Sequence, residues 1–195
     1  MARRWQLVLG TSAMLLAAAV PLVFSASRQL HLRNFRVVED GDLYRSGQLT
    51  QAGLERVLHD YGIKTVVTLR TVRDKSMPYP DVWEKDICEA RGLKHVRIVP
   101  RVWGPDEKGE VPADQAVREF LRVMDDRSNY PVLLHCFAGV HRTGTMCSVY
   151  RMEYSRWTVD QSLVEMEWFG YEPEDLHEHV SNYLRSYRPR WKSAP

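Results

Sequence analysis

The chain is 195 residues long, 44% hydrophobic and 27% charged, with a formal net charge of +2, the make-up of one globular domain with a short accessory segment. Residues 1–35 carry Arg3, Arg4, Arg28 and Arg33 and no acid, so the rest of the chain sets 23 basic against 25 acidic side chains. That balance leaves no strongly basic face and argues against nucleic acid as a partner. Between Leu7 and Phe24 the sequence is uncharged and rich in Leu, Val, Ala and Met. Such a run sits at the lower limit for a membrane-spanning helix, which takes about 20 residues. Arg3 and Arg4 before it and Ser25, Ala26 and Ser27 after it also describe a secretory signal peptide, although the apolar part exceeds the usual ~7–15 residues. The expectation for residues 1–35 is therefore an N-terminal hydrophobic helix. It would anchor the chain in a membrane through residues 5–24, or export it as a signal. Arginines at both ends leave the orientation open.

From Phe35 the pattern alternates. Val37-Val38 and Tyr44-Arg45, joined through Glu39-Asp40-Gly41-Asp42, read as a hairpin. Thr50 can cap a helix reaching Tyr61, with Leu54, Val57 and Leu58 on one face and Gly62 as its stop. Thr65 to Leu69 is a buried-strand pattern. A helix over about Tyr79 to Ala90 and a strand from Lys94 to Val99 follow, then a loop rich in Pro, Gly and acid from Pro100 to Pro112. A helix from Ala113 to about Asp126 leads to a strand from Pro131 to His135. The remainder reads as helical, with breaks near Trp157-Thr158 and between Gly170 and Pro173. This alternation predicts an α/β domain over residues 36–195, with a central, mostly parallel sheet of four or five strands flanked by helices.

One segment carries chemistry. Val132 to His135 is an apolar strand, and Cys136-Phe137-Ala138-Gly139-Val140-His141-Arg142-Thr143-Gly144 continues it through a loop into a helix. Ligands of open α/β sheets sit beyond the carboxyl ends of strands, where helix N-termini present free amides. Five residues between Cys136 and Arg142 let a loop curl with its N–H groups inward, a nest for phosphate oxygens. Gly139 permits a backbone that a β-carbon would hinder. Arg142 offers a planar fork for two phosphate oxygens. The same positive field stabilises a Cys136 thiolate and makes it nucleophilic. Three cysteines leave at least one unpaired. Cys88 and Cys147 read as inert packing residues, with a regulatory disulfide to Cys136 as the alternative.

The H-C-x-x-x-x-x-R-T-G pattern resembles the signature of cysteine-dependent protein tyrosine and dual-specificity phosphatases. Leu43-Tyr44-Arg45-Ser46-Gly47-Gln48 and Thr65-Val66-Val67-Thr68-Leu69-Arg70 are similar to segments of small atypical dual-specificity phosphatases of plant, fungal and bacterial type. The resemblance implies a cysteine phosphatase II-like fold, with Cys136 as nucleophile and Arg142 binding the phosphoryl group beside the amides of Phe137, Ala138, Gly139, Val140 and His141. It also implies that Thr143 assists departure of the thiolate and that His135 tunes it. The family's general acid is an aspartate on a mobile loop. Trp103-Gly104-Pro105-Asp106 is similar to that loop with one inserted glycine, which points to Asp106, with Glu107, Glu110 and Asp114 as competitors. No cofactor is implied, and no His/Cys/Asp set shows metal-ligand spacing.

Between Cys136 and Arg142 the only ionisable residue is His141. Relatives acting on polyphosphorylated inositols carry lysines there, whereas Phe137 and Val140 suit a less charged substrate. The expectation is a phosphoprotein or other phosphate-monoester substrate of phosphotyrosine type, with an inositol poly- or pyrophosphate or a phospholipid as the alternative. Sulfur transfer and a non-catalytic phosphate-binding pseudophosphatase are the competing classes. Arg45 and Arg70 either reach the site or pair with carboxylates. Trp168, Phe169 and Tyr171 read as core.

Overall fold

The computed structural model describes residues 31–72, 76, 78–100, 102–172 and 178–192, together with Met14, Ala17, Ala19 and Val20. The apolar run 5–24 thus lies almost wholly outside the described residues. Among the described residues, no helix is long and apolar enough to cross a membrane. Residues 31–35, on the N-terminal side of the expected boundary, pack on the domain. Phe35 is buried, the Arg33 carbonyl accepts from Gly47 N–H at 2.7 Å, and Asn34 Nδ2 donates to the Ala138 carbonyl at 2.8 Å.

The strands are β1 (Arg36–Glu39), β2 (Leu43–Ser46), β3 (Thr65–Thr68), β4 (Lys94–Arg97) and β5 (Val132–His135). The helices are α1 (Gln51–Asp60), α2 (Val82–Ala90), α3 (Ala113–Asp125), α4 (His141–Tyr154), α5 (Val159–Trp168) and α6 (Glu178–Ser186). The five strands pair in the order β1-β2-β5-β3-β4. Only the β1–β2 hairpin is antiparallel. β5, all four residues buried, runs between β2 and β3, as an almost unbroken apolar strand must when both sheet faces are covered.

Alternation along the strands divides the core. Val67, Val132 and Leu134 face a cluster with Phe120 of α3, Met146 and Val149 of α4, Leu163 of α5 and Leu184 of α6. Val66 and Leu133 face the opposite cluster, with Leu54, Val57 and Leu58 of α1 and Cys88 of α2. α4 is buried nearly all round, as expected of a helix enclosed by its neighbours.

Two expectations need correction. α2 starts at Val82, three residues after Tyr79. Asp81, at its N-cap position, does not cap it: its carboxylate is turned into the sheet, accepting from Thr68 Oγ1 at 2.7 Å and Arg97 Nη2 at 2.8 Å. Of the three aromatics read as core, only Tyr171 is buried. Trp168 ends α5 and is 84% exposed, and the ring of half-buried Phe169 meets the Arg45 guanidinium 4.7 Å away.

Candidate active site

β5 delivers Cys136 to the carboxyl end of the sheet, and α4 begins five residues later. Across that edge Ser46 and Thr68 both register with His135, and Thr68 also with Arg97. The loop between strand and helix is held from behind by the end of β2. Gly139 has φ +77°, and a β-carbon there would stand 2.5 Å from Gly47 N and 2.6 Å from the Ser46 carbonyl carbon. A β-carbon on Gly47 would in turn stand 2.9 Å from the Phe137 and Ala138 carbonyl oxygens. Two glycines thus let two backbone segments touch. Gln48 N–H donates to the Phe137 carbonyl at 2.9 Å, and Arg45 Nη2 donates to the Gly139 carbonyl at 2.7 Å. With Asn34 on the Ala138 carbonyl, these contacts engage three successive loop carbonyls from outside the loop. Gly139 N–H donates to Cys136 Sγ at 3.2 Å.

The structure brings most of the expected residues together. Cys136 is 4% exposed. Arg142, in the first turn of α4, is half-buried, and its Nη1 donates to the Leu69 carbonyl at 3.2 Å. Thr143 is fully buried, and its Oγ1 has no hydrogen-bond partner among the described residues. Val140 packs against the core, and the His141 ring meets Tyr171 edge-on with centroids 5.8 Å apart. Phe137 is 56% exposed. Its ring lies under two guanidinium groups, Arg33 at 4.2 Å and Arg70 at 4.9 Å. Burial holds Arg70 below the usual arginine range, with Asp81, Cys136 and Arg142 among the charges acting on it.

Asp106 stands apart. It is exposed, and its Oδ1 accepts from the amides of Lys108 at 2.8 Å and Glu110 at 3.0 Å, closing a turn of its own loop. Glu107 and Glu110 are exposed beside it. Asp114 is engaged elsewhere, accepting from the Tyr183 hydroxyl at 2.9 Å. Trp103 rests on the Tyr183 ring with centroids 5.0 Å apart.

Behind the loop lies a buried network that the sequence did not disclose. Glu84 Oε1 is 2.8 Å from His135 Nε2 and 3.1 Å from His95 Nε2, and Oε2 accepts from Gln48 Nε2 at 3.3 Å. Burial alone would push Glu84 up, but His135 and His95 outweigh it and hold the carboxyl at about 2. Asp81, Glu84 and His95 do converge within 4.8 Å, although nothing in their spacing suggested a cluster. The carboxylate oxygens of Asp81 are engaged by Thr68 and Arg97, and those of Glu84 by His135, His95 and Gln48, so the set forms a salt-bridge network. Glu84 carries no sequence signal that separates it from Glu89 on the same helix. Arg33 and Asn34 meet the loop from within the N-terminal segment, where no motif ties them to it. All three cysteines are free thiols. Burial pushes Cys88 up to about 12 and Cys147 up to about 11.

Comparison with known proteins agrees with this geometry. The chain is 32% identical over 113 residues, 58% of its length, to "Probable NAD kinase 2, chloroplastic" of Oryza sativa subsp. japonica. It is 28% identical over 138 residues, 70% of its length, to inositol diphosphatase DSP4 of Arabidopsis thaliana. The matches span 11% of the first protein and 64% of the second. The core catalytic domain of the PP-IP phosphatase SIW14 from S. cerevisiae shares the fold, with a TM-score of 0.62 at 19% identity, covering 81% of this chain and 87% of that one. Residues 22–178, well over half of the chain, match the family described as DSP-PTPase phosphatase fused to NAD+ kinase, and the chain belongs to that family.

Proposed function

We propose that this domain hydrolyses phosphate monoesters through a phosphocysteine intermediate. The observation that carries the reading is the hydrogen bond from Gly139 N–H to Cys136 Sγ, in the loop that leads into the first turn of α4. Such a nest at a helix N-terminus holds phosphate oxygens. The same donors stabilise the charge that develops in transfer. Cys136 Sγ attacks phosphorus, and the ester oxygen leaves with a proton from Asp106. Arg142 releases Leu69 and takes two phosphoryl oxygens. Asp106, now a carboxylate, takes a proton from water, which displaces the cysteine sulfur and frees inorganic phosphate. Thr143 Oγ1, buried and without a hydrogen-bond partner among the described residues, donates to the departing thiolate, and His135 supports it from behind. No cofactor enters either displacement.

The experiment is turnover of para-nitrophenyl phosphate in EDTA by the full chain, with Cys136→Ser in parallel. Turnover by the parent alone supports the reading. Binding of phosphate without turnover would make the domain a pseudophosphatase.

For the substrate, a phosphotyrosine-type phosphoprotein suits the exposed Phe137 ring as a wall for an aryl ester. A second reading, an inositol poly- or pyrophosphate, is favoured by a specific observation. Arg33, Arg70 and Arg142 surround the loop, and among the described residues none has an ion-pair partner. The cations absent from the loop interior thus come from residues 33 and 70, and the relative from Arabidopsis thaliana is by name an inositol diphosphatase. Release of phosphate from an aryl phosphopeptide but not from polyphosphorylated inositols selects the first reading, and the reverse selects the second. We also propose that residues 5–24, by their composition, anchor the domain to a membrane or direct its export. Extraction of the full chain from membranes by carbonate at high pH would refute an anchor.

A further inference from the structure

The two displacements use Cys136, Arg142, Thr143 and Asp106 and leave a buried carboxylate without a role. Glu84 is 1% exposed on the inner face of α2. Each of its oxygens leads to the loop by a different route. Oε1 lies 2.8 Å from His135 Nε2, and the other nitrogen of that ring, Nδ1, faces the Cys136 carbonyl oxygen at 3.3 Å. Oε2 accepts from Gln48 Nε2, and the backbone N–H of Gln48 donates to the Phe137 carbonyl at 2.9 Å. Glu84 therefore grips the chain immediately before and immediately after Cys136.

The partners of His135 also decide its charge. A carboxylate oxygen and a peptide carbonyl can only accept. A neutral imidazole has one N–H, so it would aim a lone pair at one of these oxygens. An imidazolium donates to both. His135 is 1% exposed, which leaves no solvent to relieve a mismatch. The ion pair then presents its cationic end toward Cys136. The other charged or titratable groups facing it are His95 of β4 and Cys88 on α2, with Arg70 after β3. Asp81 at the head of α2 is neutralised by Arg97 of β4 at 2.8 Å.

We infer that Glu84 is a positioning residue for the reactive thiol, holding His135 as an imidazolium against the Cys136 peptide and, through Gln48, fixing the Phe137 carbonyl. The inference rests on Cys136 being the nucleophile of the proposed reaction. A buried carboxylate near a thiolate would by itself repel it. The intervening imidazolium reverses that sign.

The experiment is the pH dependence of iodoacetamide alkylation of Cys136 in the full chain, comparing the parent with Glu84→Gln, alongside para-nitrophenyl phosphate turnover. Alkylation reads the thiolate without requiring a phosphatase, so it still tests the inference if turnover is absent and the phosphatase reading fails. Cys88 and Cys147 are wholly buried and stay thiols over the range used. Glu84→Gln keeps the shape and removes the charge. The expected result is half-maximal alkylation at higher pH, with about tenfold less reaction per unit time on the acid side, the equivalent of one pH unit, and a larger loss in kcat than in KM. An unchanged profile in a folded variant overturns the inference, because Glu84 would then be structural only. A move to lower pH overturns it as well, because Glu84 would act only as a repelling charge. Should Glu84→Gln fail to fold, nitrogen chemical shifts of the His135 ring in the parent decide: two protonated nitrogens at pH 7 are expected, and a neutral tautomer overturns the inference.

Discussion

Arg45 Nη2 donates to the carbonyl oxygen of Gly139 at 2.7 Å, joining the second strand to the middle of the cysteine loop 94 residues later. Arg45 is 1% exposed, and its Nη1 has no hydrogen-bond partner among the described residues, an arrangement that costs desolvation and persists because the loop carbonyl is turned toward the guanidinium. Arg45→Ala removes a large buried side chain and strands a buried carbonyl. The expected destabilisation is about 3–5 kcal/mol, with loss of turnover. Urea denaturation checks the first and a chromogenic phosphate ester the second. Full activity in a folded variant would remove Arg45 from the account of the loop.

Gly139 in the cysteine loop and Gly62 after α1, both with positive φ, make a sharper test, because only one of the two strains is tied to chemistry. Gly139→Ala places a β-carbon 2.5 Å from a backbone nitrogen at φ +77°. Gly62→Ala meets only open space at φ +59°. Both lose about 1 kcal/mol or more to the left-handed backbone. Only Gly139→Ala must also displace the amide that faces Cys136 Sγ, and a misplacement of about 1 Å is worth on the order of a hundredfold in rate. Kinetics of both variants against the parent check the contrast. Equal losses would show that the loop tolerates the shift.

What the sequence made legible was what depends on neighbours in the chain. β5, the loop and α4 form one continuous segment, so Cys136, Gly139, Arg142 and Thr143 could be placed from residue order alone. Glu84 reaches His135 across 51 residues, and Arg70 meets Phe137 from beyond the end of β3. Neither pairing has a local pattern, so neither could be read. Arg33 and Asn34 were obscured by position, since an apolar run just upstream drew them into the N-terminal segment. Trp168 illustrates the reverse error. Helical spacing placed it in the core, but α5 ends on it and the ring is left outside.

Asp106 as general acid has a kinetic signature. In the structure its carboxylate closes a turn with Lys108 and Glu110 amides, so it must leave that turn to reach a substrate. Asp106→Asn should slow hydrolysis of phenyl phosphate by ~10²-fold or more. Para-nitrophenyl phosphate, whose leaving group needs little protonation, should lose far less. A panel of aryl phosphates of graded leaving-group acidity checks this. The same pattern from Glu110→Gln instead would move the assignment to that residue.

Arg33 and Arg70 bear on substrate charge rather than on chemistry. Arg33→Ala should raise KM for a polyphosphorylated inositol about tenfold and leave that for para-nitrophenyl phosphate within about twofold, as expected for a cation that meets only a second anionic group. The difference should shrink with added salt, because the site is open to solvent. Equal effects on both substrates would indicate that Arg33 only braces Phe137.

Glu84 also predicts how the fold responds to acid. Its carboxyl falls from an ordinary 4.5 to about 2 in the folded chain. A folded value below the unfolded one means that the stabilising contribution is complete above about 4.5 and is lost as pH falls toward 2. The corresponding free energy is about 3 kcal/mol. Chemical denaturation between pH 3 and 7 should therefore show stability declining below about pH 4.5, and Glu84→Gln should flatten the part of that decline due to this group. The variant should also be less stable at pH 7, because His135 and His95 lose a charged acceptor in a buried place. An acid limb of equal steepness in parent and variant would mean that other carboxylates govern acid unfolding.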